Sequence, residues 1–220
     1  MKLRTESYLN QVQKWPQIGY HILAQFDETS VIVYQAYRSE IGDFAAKHGY
    51  FGGEFRLNRM SWIKPNFLWM MYRSGWGTKA EQEVILAVRI QRTAFDDILK
   101  NAVHSSFIPH IYSTQENWKQ AVQNSEVRLQ WDPDHNPIGD KLERRAIQLG
   151  LRGEVLKKYA QEWIVEIEDI SNFVREQYQV ICGGDWRDLI TPTETVYPAA
   201  SVEVAQKLGL SKLDKIGYNS

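Results

Sequence analysis

The residues RMSWIKPNFLWMMYRSGW, positions 59–76, constrain the fold more than any other stretch. Pro65 lacks an amide hydrogen and closes the RMSWIK strand, and Asn66 is a good N-cap. The run FLWMMYRS then predicts a helix ended by Gly75. That helix is apolar nearly all round as far as Arg73, so it belongs in a core or under a ligand. The cations stand at the boundaries: Arg59 opens the strand, Lys64 closes it, and Arg73 lies near the helix end.

Around this segment the pattern alternates between strand and helix without the strict order of a doubly wound sheet. HILAQFD (21–27), SVIVYQAY (30–37), VILAVRI (84–90), EVRLQWD (126–132), RRAIQLGL and WIVEIEDI read as strands, with TETVYP a last short one. Arg4–Trp15, EIGDFAAKHG after Ser39, AFDDILKNAV, a Ser113/Glu116 capping box, GEVLKKYAQEW and SNFVREQYQVI read as helices. DPDHNPIGD reads as a loop. The expected fold is one α+β domain with a mixed, curved sheet flanked by helices. It spans residues 17–200, after a helical segment at 1–16 and before a helical tail at 201–220.

Composition narrows the function classes. The 220 residues carry net charge −1, from 26 Lys and Arg against 27 Asp and Glu, so attraction to an anion must be local. Cys182 is the single cysteine, which excludes an intrachain disulfide and a cysteine-based zinc site. The five histidines show no metal-ligand spacing, so no metal is expected. The N-terminus lacks the apolar run of a signal peptide, and no stretch approaches the about 20 apolar residues of a membrane span. A reduced, cytoplasmic setting with no membrane partner is the expectation.

Three constellations point to a bound ligand. From Arg56 to Lys79 there are five cations and no acid. Guanidinium groups bind phosphate bidentately and aromatic faces stack on bases, so Arg59, Trp62, Lys64, Trp69, Arg73 and Trp76 are candidate ligand contacts. Trp69 and Arg73, four residues apart, are set for a cation–π contact. In YQAYRSE, Tyr34, Gln35 and Arg38 stand where a strand opens into a helix, where backbone amides are available. In RRAIQLGLRGEVLKKY, Gly150 and Gly153 before a helix resemble a phosphate-cradling turn, with Gln148, Arg152 and Glu154 beside it. The shared expectation is a nucleotide or other anionic phosphate ligand.

The wording of SVIVYQAYR, RMSWIKP…FLWMMYRSGW, VILAVRI, VRLQWDP and IQLGLRGE resembles the bacterial and fungal domain-of-unknown-function 4291 family, from about Gln17 to Pro198. That name carries no activity. The order of elements is also similar, more faintly, to the ADP-ribosyltransferases. That likeness implies NAD as cofactor, with Arg38 or Gln35 holding its ribose and phosphates and Tyr72 or Trp69 stacking on nicotinamide. It also implies a late glutamate against an oxocarbenium-like transition state, for which Glu126, Glu154 and Glu168 compete; Glu154 is taken as the catalytic candidate with Arg38 and Tyr72. Two functions follow as expectations. One is a nucleotide-dependent transferase of the ADP-ribosyltransferase type. The other is a nucleic-acid-binding or RNA-processing module that holds phosphates and stacked bases in the same cleft.

Overall fold

The computed structural model describes residues 3–212. In chain order come β1 (Thr5–Ser7), α1 (Tyr8–Val12), β2 (Gly19–Tyr20), β3 (Leu23–Ala24), β4 (Ser30–Tyr37) and α2 (Ser39–His48). Next are β5 (Ser61–Ile63), α3 (Phe67–Ser74), β6 (Val84–Gln91), α4 (Arg92–Asn101), β7 (Val103–His104), α5 (Pro109–Tyr112) and α6 (Gln115–Asn124). The rest comprises β8 (Val127–His135), β9 (Lys141–Leu151), α7 (Gly153–Gln161), β10 (Ile164–Asp169), α8 (Ser171–Cys182), β11 (Ile190–Pro192), β12 (Thr195–Val196) and α9 (Val202–Leu208).

Strands β10, β6 and β4 form an antiparallel sheet in that order. A second, mixed sheet runs β2-β9-β8-β7, and β5 joins the edge of β9 beyond β2. One bridge sews the two sheets together: Tyr34 N–H donates to Lys64 O at 2.7 Å, and Lys64 N–H to Tyr34 O at 3.2 Å. The result is a single α+β domain around a curved, mixed sheet. Among the described residues no helix is long and apolar enough to cross a membrane.

The β-branched runs of β4 and β6 lie at the centre and are covered on both faces. Val31, Val33, Leu86, Val88 and Ile90 face a core shared with Ile63 of β5, Leu129 of β8 and Ile147 and Leu149 of β9. The alternate residues Ile32, Tyr34, Ile85 and Ala87 face a second core, built with α1, α3 and α8. Helix α3 has the expected ends. Asn66 Oδ1 accepts Trp69 N–H at 2.7 Å, and Gly75 closes the helix at φ +58°. The second core buries Phe67, Leu68, Met70 and Met71 from this helix.

Several boundaries differ from the sequence reading for tertiary reasons. Residues 5–7 leave the expected N-terminal helix because they pair with β11. In HILAQFD, regular pairing is confined to Leu23–Ala24. Strand β8 runs through the expected loop to His135 by pairing with β9 across a bulge. Thr114 caps α6 by accepting from Asn117 N–H, in place of Ser113. The last eight residues of the expected C-terminal tail lie outside the described residues.

Candidate functional site

Beyond the Tyr34–Lys64 bridge β4 and β5 part, and side chains take over the bridging. Gln35 Nε2 donates to Ser61 Oγ at 2.9 Å, Tyr37 Oη at 2.7 Å and Trp62 O at 3.3 Å. Gln35 Oε1 accepts from the fully buried Tyr159 hydroxyl at 2.6 Å, and Tyr37 Oη lies 2.7 Å from Ser61 Oγ. Burial holds both phenols above their usual range, so both remain neutral donors. A cavity of about 810 Å³ opens at this parting of the sheets.

Gln35, Tyr37 and Ser61 come to the cavity from one face of the curved sheet. Trp62 and Lys64 reach it from the other, with Gln130 and Gln148. Gln130 and Gln148 are direct cross-strand partners, and their amides donate to the two oxygens of Asp132, each at 2.8 Å. Trp62 lies opposite Gly150, and that close approach requires glycine. A Cβ there would stand 2.6 Å from Met60 Sδ and 3.0 Å from two carbons of the Trp62 ring.

Five cationic residues, Arg38, Arg56, Arg59, Lys64 and Arg73, line the cavity against two carboxylates, Glu54 and Glu81. Arg38 is committed: it pairs with Glu54, and with Glu40 and Glu81 at 3.6 and 3.7 Å. Among the described residues the Arg73 guanidinium reaches only Gln82, at 3.5 Å. Among the described residues Arg56 and Arg59 have no hydrogen-bond or ion-pair partner. Nor does the Lys64 ammonium, although Lys64 is 5% exposed. Burial first, and then the Arg73 guanidinium, bring Lys64 down to about 8, with Asp132 pulling the other way.

Of the residues expected from the sequence, the cavity gathers Gln35, Arg38, Arg59, Trp62, Lys64, Arg73 and Gln148. Tyr34, Trp69, Tyr72, Trp76, Arg152 and Glu154 lie elsewhere. Tyr34 is buried in the second core with its ring 5.5 Å from Phe67. Met70 and Arg73 present one side of α3 to the cavity, while Trp69 and Tyr72 occupy the adjacent one. Trp69 and Tyr72 stack on each other and on His135, the Tyr72 and His135 rings 3.5 Å apart. The expected Trp69–Arg73 pairing is therefore replaced. Trp76 is buried and donates to Pro137 O at 3.1 Å.

The Gly150–Gly153 turn is already filled by the chain itself. Glu126 accepts from the Glu154 and Val155 amides at 3.1 and 3.0 Å, occupying the anion position at the start of α7. Gly153, at φ +59°, leaves room for that carboxylate, since a Cβ would come 1.9 Å from Glu126 Oε1. The Arg152 guanidinium is spent on the carbonyls of Val122, Gln123 and Ser125 at the end of α6. Glu154 is exposed and lies 3.9 Å from Lys157.

Residues the sequence did not single out for the site are Tyr37, Ser61, Gln130, Asp132 and Tyr159. Strand alternation carries a signal for Gln130, polar between the buried Leu129 and the aromatic Trp131. Tyr159 had none, because its role depends on where α7 docks. Among the described residues no group of three or more His, Cys, Asp or Glu side chains is placed to hold a metal ion.

No curated protein matches the chain. A family model matches residues 21–197, a span that takes in every cavity-lining residue, and the chain belongs to that family, described as Domain of unknown function (DUF4291).

Proposed function

We propose that the chain is a nucleotide-dependent transferase of the ADP-ribosyltransferase type, binding NAD or a related nucleotide in this cavity. The observation that carries the reading is Lys64, a buried residue whose ammonium meets the cavity with no acceptor among the described residues, as do Arg56 and Arg59 beside it. An uncompensated buried cation is costly, and a phosphate oxygen is the group that would complete it. A cavity of about 810 Å³ falls within the range of small-molecule sites, roughly 300–1,000 Å³.

In this reading Arg56, Arg59, Lys64 and Arg73 hold the pyrophosphate, and Trp62 offers its face to a base or to nicotinamide. The Gln35–Tyr37–Ser61 network supplies donors and acceptors to ribose hydroxyls. Departure of nicotinamide would leave positive charge on the ribose. The carboxylates bordering the cavity are Glu54 and Glu81, and Asp132 acts through the two glutamines it orients.

A thermal-shift titration with NAD, paired with chromatographic detection of released nicotinamide, tests the reading. Stabilisation that rises with NAD and is lost in Arg59→Ala and Arg73→Ala supports it. Protein that neither binds nor cleaves NAD overturns it. The surplus of cations favours a second reading, a module that holds single-stranded RNA in the same cavity. It expects oligonucleotide binding that weakens steeply with salt and needs no NAD.

A further inference from the structure

Lys64 differs in kind from the arginines around it. Its backbone is pinned on both sides by Tyr34, and Pro65 follows it, so its position at the seam is fixed. Its side chain is buried, lines the cavity and has no acceptor among the described residues. A guanidinium keeps its proton under such conditions, but an amine yields it. With Lys64 at about 8, roughly a quarter of the amine is free base at pH 7.5, against about a thousandth for an ordinary lysine. Desolvation together with a neighbouring cation is the combination that turns a lysine into a nucleophile towards carbonyl carbon.

We propose that Lys64 is a reactive amine that condenses with the carbonyl carbon of a phosphate-bearing sugar, whose phosphate is held by Arg56, Arg59 and Arg73. The proposal rests on the cavity of the preceding reading but not on NAD as its occupant. The nitrogen lone pair forms the new C–N bond, the carbonyl oxygen takes up protons and leaves as water, and an imine remains. Nothing is oxidised or reduced. A pentose phosphate in its open-chain form presents both groups that the site would recognise, an aldehyde and a phosphate.

The test uses the full chain, ribose 5-phosphate and sodium cyanoborohydride at pH 7.5, read by intact mass and peptide mapping. One reduced adduct on the Lys64 peptide is expected, forming at least about tenfold faster than with unphosphorylated ribose. Lys64→Arg keeps the cation but cannot form an imine, and should lose this adduct. Lys64→Met, neutral and similar in length, covers the case in which arginine does not fit. Arg73→Ala should slow labelling several-fold at pH 7.5, because it removes a phosphate contact and lets the amine regain its proton. No adduct at Lys64, labelling spread over exposed lysines, or equal labelling by ribose would each overturn the proposal. Thermal shifts with NAD and ADP-ribose are run in parallel. Shifts that persist without an adduct refute the imine alone, and loss of both refutes the nucleotide reading as well.

Discussion

Glu194 joins the stability of the fold to the cavity. It lies between β11 and β12, is 3% exposed, and sits against the start of α3. Its Oε1 accepts Phe67 N–H at 2.7 Å and its Oε2 accepts Asn66 Nδ2 at 3.1 Å. Helix α3 in turn presents Met70 and Arg73 to the cavity. Glu194→Ala leaves two buried donors without an acceptor. At about 1–3 kcal/mol for each such group, less some relaxation, the loss is about 2–4 kcal/mol. In a domain of this size Tm then falls by roughly 5–15 °C.

Glu194→Gln keeps the shape and one acceptor but turns an amide towards Asn66 Nδ2, so it should cost roughly half as much. Burial holds the Glu194 carboxyl well above its ordinary range. For an acid raised on folding, the native state binds more protons than the unfolded chain. Its contribution is therefore complete below the unfolded value, near about 4.3, and is lost as pH rises through the folded one. The stability difference between wild type and Glu194→Gln should thus shrink from pH 4 towards neutrality. Urea unfolding followed by tryptophan fluorescence at stepped pH measures both quantities. A Glu194→Ala protein within about 0.5 kcal/mol of wild type would refute the capping argument. A difference that grows with pH would refute the titration argument.

Gly150→Ala should destabilise by about 1–3 kcal/mol through contact with Met60 and Trp62, and weaken ligand binding more than stability, as thermal shifts with and without NAD would show. Asp134→Ala strands the Arg144 guanidinium, which pairs with Asp134 at 2.6 Å with both side chains almost fully buried, so a loss of about 3–5 kcal/mol in urea unfolding is expected. Glu154→Ala, exposed and outside the cavity, should leave NAD binding unchanged in the same titration.

What the sequence made legible was local chemistry. Pro65, Asn66 and Gly75 mark α3 because a missing donor, a side-chain cap and a left-handed residue act within a few positions. Strands β4 and β6 were equally plain, since residues covered on both faces need apolar side chains at every step. The orientation of α3 was not legible. A helix apolar nearly all round has no marked face, so nothing in its own residues separates Met70 and Arg73 from Trp69 and Tyr72. The end of β8, which brings His135 onto Tyr72, decides it. The Gly150–Gly153 turn misled for a related reason. Its helix start does hold an anion, but the anion is Glu126, 28 residues before Glu154 and across two strands.

The charge pattern follows from the same seam. A chain with net charge −1 has no long-range pull on an anion, yet the gap between β4 and β5 concentrates cations. Backbone pairing stops at Tyr34 and Lys64, and the polar groups exposed by the parting strands must find other partners. Gln35 satisfies Trp62 O and ties Ser61, Tyr37 and Tyr159 into one network on one side of the gap. On the other side Lys64 and Arg73 face one another's repulsion with no carboxylate bonded to either. A fold under selection for stability alone would relieve that repulsion with one acidic residue, and positions 56–79 contain none. Asp132 offsets the charge of Lys64 only in part, and an anionic ligand is what would balance the rest.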